Sequence, residues 1–148
     1  MIDIIELPEL IALGIEVEVP WNELSRAVPA AWERLFAAET GAASFLEVSI
    51  SREHGVYREL VGFLAASTIE IPEGMSQLVI PPQRYIRIIH DGPLAGIADG
   101  FAKLYDYAAK SGLRATDFKL DFGYLPSLPG GRHELHVALE AERLLLGG

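Results

Sequence analysis

Apolar and polar positions alternate most regularly between residues 132 and 140, where Leu135, Val137 and Leu139 take turns with Glu134, His136 and Ala138. A period of two predicts a strand with one face for a core and another carrying a carboxylate and an imidazole. Glu134 then needs a reason, because a carboxylate dehydrated without a partner is costly. It either faces water on the wet side of an antiparallel sheet or lines a groove in which a cation or a donor meets it.

The rest of the chain repeats such patterns in two rounds. Residues 4–19 are rich in Ile, Val and Leu, are interrupted at Pro8 and Gly14, and predict a strand pair or one bent strand. Val28, Trp32, Leu35 and Phe36 recur at helical spacing, with Pro29 suited to a first turn and Gly41 to a stop. Stretches 45–51 and 57–66 make a hairpin about Glu53-His54-Gly55. Beyond the turn Pro72-Glu73-Gly74, the runs 78–80 and 85–90 read as two short strands or as one broken by Pro81-Pro82.

After Asp91-Gly92-Pro93, a second helix is marked by Ile97, Phe101, Leu104, Tyr105 and Ala108 and ends at Ser111-Gly112. A second hairpin carries Phe118, Leu120 and Phe122 on one arm and Glu134 on the other. The tail after Glu140 predicts a helical turn.

The order β-α-β-β therefore appears twice. Val28, Trp32, Leu35 and Phe36 superpose on Ile97, Phe101, Leu104 and Tyr105 with a constant offset of 69, and an offset of 75 lays Glu59 on Glu134. Such a duplication predicts an α+β fold of two pseudo-symmetric repeats, about 1–70 and about 75–141 within one domain of 1–148, whose helix-free faces meet across a cleft. With Leu60, Gly62 and Leu64 on one face and Leu135, Val137 and Leu139 likewise, parity leaves Tyr57, Glu59, Val61, Phe63, Glu134 and His136 for that cleft.

Composition narrows the partners. Half of the 148 residues are hydrophobic, enough for a full core, and the net charge of −9 with no basic run argues against direct nucleic-acid binding. Cysteine is absent, which excludes thiol nucleophiles and thiolate metal sites. The start Met1-Ile2-Asp3-Ile4-Ile5-Glu6 lacks a secretory pattern and no stretch has membrane-spanning length, so a cytoplasmic protein without membrane contact is expected. His133 and His136 fall one residue short of a zinc-helix spacing and leave a strand on opposite faces, and no glycine-rich phosphate loop occurs; neither metal nor cofactor is expected.

An ordered set of short motifs adds a resemblance. Pro72-Glu73-Gly74-Met75, residues 79–85 (Val-Ile-Pro-Pro-Gln-Arg-Tyr), His90-Asp91-Gly92-Pro93, Tyr124 and Glu134 resemble, in order, the signatures of the GyrI-like small-molecule-binding family, the effector-binding domain of bacterial transcription activators. The resemblance implies a curved antiparallel sheet with two helices on its outer face and a central cleft. It also implies that Glu134 sits among aromatic rings on the cleft floor and pairs with lipophilic cations, as in multidrug-binding relatives. No basic or helix-turn-helix segment precedes the domain here, so a stand-alone member is expected.

Three functions follow. In the first, Glu134, Glu59 and His136 with Trp32, Tyr57, Phe101, Tyr105 and Tyr124 hold an amphipathic cation by charge, stacking and cation–π contact; Trp32 and Phe101 read equally well as core. In the second, Glu134 or Glu59 is a general base and Tyr57, two residues from Glu59, a proton donor in a hydrolase opening electrophilic rings of the cyclopropane type. In the third, a protein partner is bound, as by gyrase-inhibitor relatives.

Overall fold

The computed structural model describes residues 1–66, 70–126 and 130–141. Its elements run β1 (Asp3–Leu7), β2 (Leu10–Pro20), α1 (Trp21–Ala37), β3 (Phe45–Glu53), β4 (Val56–Ala65), β5 (Ser76–Ile80), β6 (Gln83–Pro93), α2 (Ile97–Lys110), β7 (Ala115–Tyr124) and β8 (Gly130–Leu139). The helical turn expected after Glu140 lies outside the described residues. Among those described, no helix is long and apolar enough to cross a membrane.

All eight strands form one antiparallel sheet in the order β1-β6-β8-β7-β3-β4-β2-β5. The two segments that read ambiguously from sequence are each two strands. Pro8 and Pro81-Pro82 interrupt ladders that a continuous strand would need, so β1 leaves β2 to pair with β6, and β5 leaves β6 to pair with β2. Each half thus lends its first strand to the far edge of the other. β3 and β7 pair at the midline, where the halves join.

Both helices pack on the same sheet face. Ala31, Trp32 and Leu35 of α1 cover Leu13, Ile15, Val17, Val61 and Phe63, while Leu104 and Ala108 of α2 cover Ile86, Leu135 and Val137. The opposite face has no helix, yet Leu46, Val48, Leu60, Tyr85 and Leu120 are buried on it, with the partly buried Ile5, Leu7, Leu10 and Leu78 from strands at and near the two edges packed against them. The sheet therefore curls its ends over its own middle, and the face expected to form the cleft is a dry core instead.

Two local backbone features accompany this packing. α1 starts at Trp21, well before Val28, so Pro29 lies inside the helix; Ser25 and Pro29 are exposed, and the carbonyl freed by the missing N–H faces water. Gly14 sits opposite Gly62 in the β2–β4 ladder, and a β-carbon on Gly14 collides with the Val61 carbonyl. Gly14→Ala is expected to cost about 2 kcal/mol or more and to lower the melting temperature by roughly 5 °C in a thermal scan.

Candidate functional site: a groove between the helices

Following the ladders across the helix-bearing face gives two rows. One reads Ile15, Val61, Glu47, Asp121, Leu135, Ile88; its neighbour reads Val17, Glu59, Ser49, Lys119, Val137, Ile86. The apolar ends of each row lie under α1 and α2. The polar centres fall between the helices, on the midline strands, where Glu47 and Asp121 stand directly opposite each other. Like charges at such a position oppose folding unless other groups compensate.

The strip is the floor of a groove. Its inner lobe, about 340 Å³, is walled by Trp21 of α1 and by Ile97, Ala98 and Phe101 of α2, over Glu47, Ser49, Glu59, Lys119, Asp121 and Tyr124. An outer lobe of about 430 Å³ shares Trp21, Ser49, Glu59 and Lys119 with it and continues past Tyr57 and Arg52. Trp21 is 70% exposed and tilts against Tyr57, ring centroids 5.4 Å apart, so the mouth carries an aromatic surface with one face free.

Each acid is held by named donors. Trp32 Nε1–H donates to Glu47 Oε1 at 2.6 Å, and the Trp32 ring stacks on Tyr124 at 4.4 Å. The Tyr124 hydroxyl donates to Asp121 Oδ2 at 2.7 Å, and the buried His133 donates from Nδ1 to Asp121 Oδ1 at 2.7 Å. Ser49 Oγ–H donates to Glu59 Oε1 at 3.4 Å.

Even so, burial, only partly offset by the Trp32 bond, raises the Glu47 pKa to about 7, with Glu59 and Asp121 pushing the same way. Burial also raises Glu59, against the Ser49 bond and Lys119, and raises the Tyr124 phenol, which feels Glu47 and Asp121 as well. Three carboxyl groups on one strip between aromatic walls make a site that gains from a cation.

The sequence profile of the GyrI-like small-molecule-binding domain matches residues 1–128. The chain belongs to the GyrI-like family. It is 26% identical to the transcriptional regulator BrlR of Pseudomonas aeruginosa over 151 residues, an alignment covering 92% of this chain and 54% of that protein, so the chain spans about half that regulator's length. Among solved structures it resembles SAV2435 bound to tetraphenylphosphonium, with a TM-score of 0.71 at 11% identity over 95% of this chain and 94% of the other. It also resembles the EcmrR C-terminal domain, with a TM-score of 0.69 at 15% identity over 96% and 98% of the two chains.

In this GyrI-like chain the groove gathers Glu59, Tyr57, Phe101 and Tyr124 among the residues expected from sequence. Trp32 is buried core and reaches the site through its N–H. Tyr105 donates to the Thr116 carbonyl at 2.7 Å and lies beneath Lys119 at the outer end.

Glu134 and His136 are not in the groove. They occupy the opposite face, in the rows of Phe122 and Leu120; Glu134 accepts from Arg87 Nη1 at 3.2 Å with its side chain 41% exposed, and His136 is buried against Tyr85 and Phe122. The reason is parity. The ladders place Glu47 on Asp121 and Val61 on Leu135, each 74 positions on, whereas the expected offset of 75 is odd and flips every side chain to the other face. With the even offset, His133 is the counterpart of Glu59.

His133 was missed through the same odd offset, and Trp21 because it precedes the periodic stretch of α1; Glu47, Asp121 and Lys119 were missed for another reason. Their signal was a polar residue between apolar ones, Glu47 between Leu46 and Val48 and Asp121 between Leu120 and Phe122, which reads as an ordinary wet face until the helices are placed.

Proposed function

We propose that the groove captures a lipophilic aromatic cation, with Glu47 supplying the counter-charge, Asp121 and Glu59 adding to the field, and Trp21, Phe101 and Tyr124 clasping the apolar body. The observation that carries this reading is the pairing of Glu47 with Asp121 at the midline, on the floor of a groove between the two helices. A dehydrated cation over such rings gains about 1–2 kcal/mol per ring, and a carboxylate that burial keeps partly protonated regains its charge when the cation arrives.

Both tryptophans of the chain lie at this site, so intrinsic fluorescence reports on it. Titration with tetraphenylphosphonium is expected to change that emission saturably, with Glu134→Gln retaining wild-type affinity because its carboxylate is on the far face. Emission that does not saturate, or loss of binding in Glu134→Gln, removes the groove from the mechanism.

A hydrolytic reading has one support, since Tyr57 and Glu59 line the same outer lobe beside Lys119. Turnover of an electrophilic cyclopropane, lost in Glu59→Gln, is its test.

A further inference from the structure

The two lobes differ in charge. At the inner one the acids Glu47 and Asp121 have no cationic Lys or Arg paired with them among the described residues. The outer one brings Lys119 and Arg52 to the wall together with the Ser49 and Ser51 hydroxyls and the Tyr57 ring.

Those two cations lack carboxylate partners. Lys119 Nζ donates to the Asp117 carbonyl at 3.1 Å and to the Tyr105 hydroxyl at 3.4 Å, lying 5.6 Å from that ring's centre. Among the described residues no carboxylate oxygen stands within 4.0 Å of Lys119 or Arg52, although Asp117 and Glu59 line the same lobe. Arg58, by contrast, is taken by Glu16 at 2.6 Å. Burial holds the Lys119 amine below its ordinary pKa, although the Asp117 and Glu59 carboxylates in the same lobe pull it the other way.

An unpaired, half-buried ammonium beside hydroxyl donors favours an anion, and the shared walls at Trp21, Ser49, Glu59 and Lys119 make the lobes one continuous space. We infer that the ligand is amphoteric: an aromatic cation whose positive end lies by Glu47 and Asp121 and whose carboxylate, or a comparable anionic substituent, meets Lys119 and Arg52. This rests on the cation-capturing reading above and narrows it to molecules bearing both charges. A purely cationic ligand leaves the outer cations facing its positive field.

The test compares one rhodamine dye as its methyl ester, a pure cation, with the same dye as its free acid, a zwitterion. Wild-type protein is expected to bind the acid about three- to fivefold more tightly, the range of a partly exposed ion pair. In Lys119→Gln combined with Arg52→Gln the ratio is expected to fall to about one, since loss of the two cations weakens the acid and relieves the ester. Arg52 is exposed, so Arg52→Gln alone serves if the double variant does not fold, and it reduces the preference part-way. Equal binding of acid and ester by wild type, or a preference that survives the double variant, overturns the inference and leaves the cation reading in place. Binding of neither dye overturns the inference, and the cation reading falls with it only if tetraphenylphosphonium also fails to bind.

Discussion

Glu47→Gln is expected to weaken tetraphenylphosphonium binding at least tenfold at about pH 8 and, in the same protein, to raise folding stability. Both effects come from one geometry. The carboxyl group sits opposite Asp121 and accepts from the Trp32 N–H, and Gln keeps an acceptor for that donor while deleting the charge.

The sign follows from linkage. The Glu47 pKa stands at about 7 in the fold against 4.5 ordinarily, so between those values the native state holds a proton that the unfolded chain has released. Stability therefore falls as pH rises through that window, and above it the full penalty, on the order of 3 kcal/mol, is present. Denaturant titrations should show the variant gaining its advantage only on the alkaline side. Cation affinity moves oppositely: in wild type it rises as pH passes upward through about 7, and in the variant that rise is absent. A variant that binds as wild type does, with the same pH profile, would remove Glu47 from the site.

The second large effect concerns Asp121. It is buried and accepts from both His133 and Tyr124, so Asp121→Ala strands the buried His133 donor and the half-buried Tyr124 hydroxyl and is expected to cost about 3–5 kcal/mol, lowering the melting temperature by roughly 10 °C. Asp121→Asn keeps one acceptor and should lose less. Combining Asp121→Leu with His133→Leu should recover part of the loss, because removing both partners leaves fewer unmet groups than removing one. A melting temperature for Asp121→Ala close to that of wild type would show that this buried bond does not hold the groove floor in place.

Most elements were legible in the chain because each carries a strong local signal. The hairpin at His54-Gly55 needs left-handed backbone at both residues, with φ of 52° and 76°, and the sequence marks it plainly. Helical spacing from Ile97 to Ala108 likewise has one reading, and His90 caps its own turn by donating to the Pro93 carbonyl at 2.8 Å. The start of α1 was less legible: a proline usually marks a first turn, and only the exposure of Pro29 explains why it is tolerated further in.

By itself, the sequence determined an α+β fold, the duplication, the aromatic and acidic stock of residues, and the motifs of a GyrI-like domain. Those properties follow from local periodicity and composition. Which acids share a face with which rings was decided only by the tertiary structure, because a sheet has period two: a shift of one residue in the overlay exchanges Glu134 for His133 and moves the floor of the groove to Glu47 and Asp121. The curl of the sheet then buries the face that had looked open, and the two helices, standing apart on the other, leave the midline strip as the place where charge meets aromatic surface.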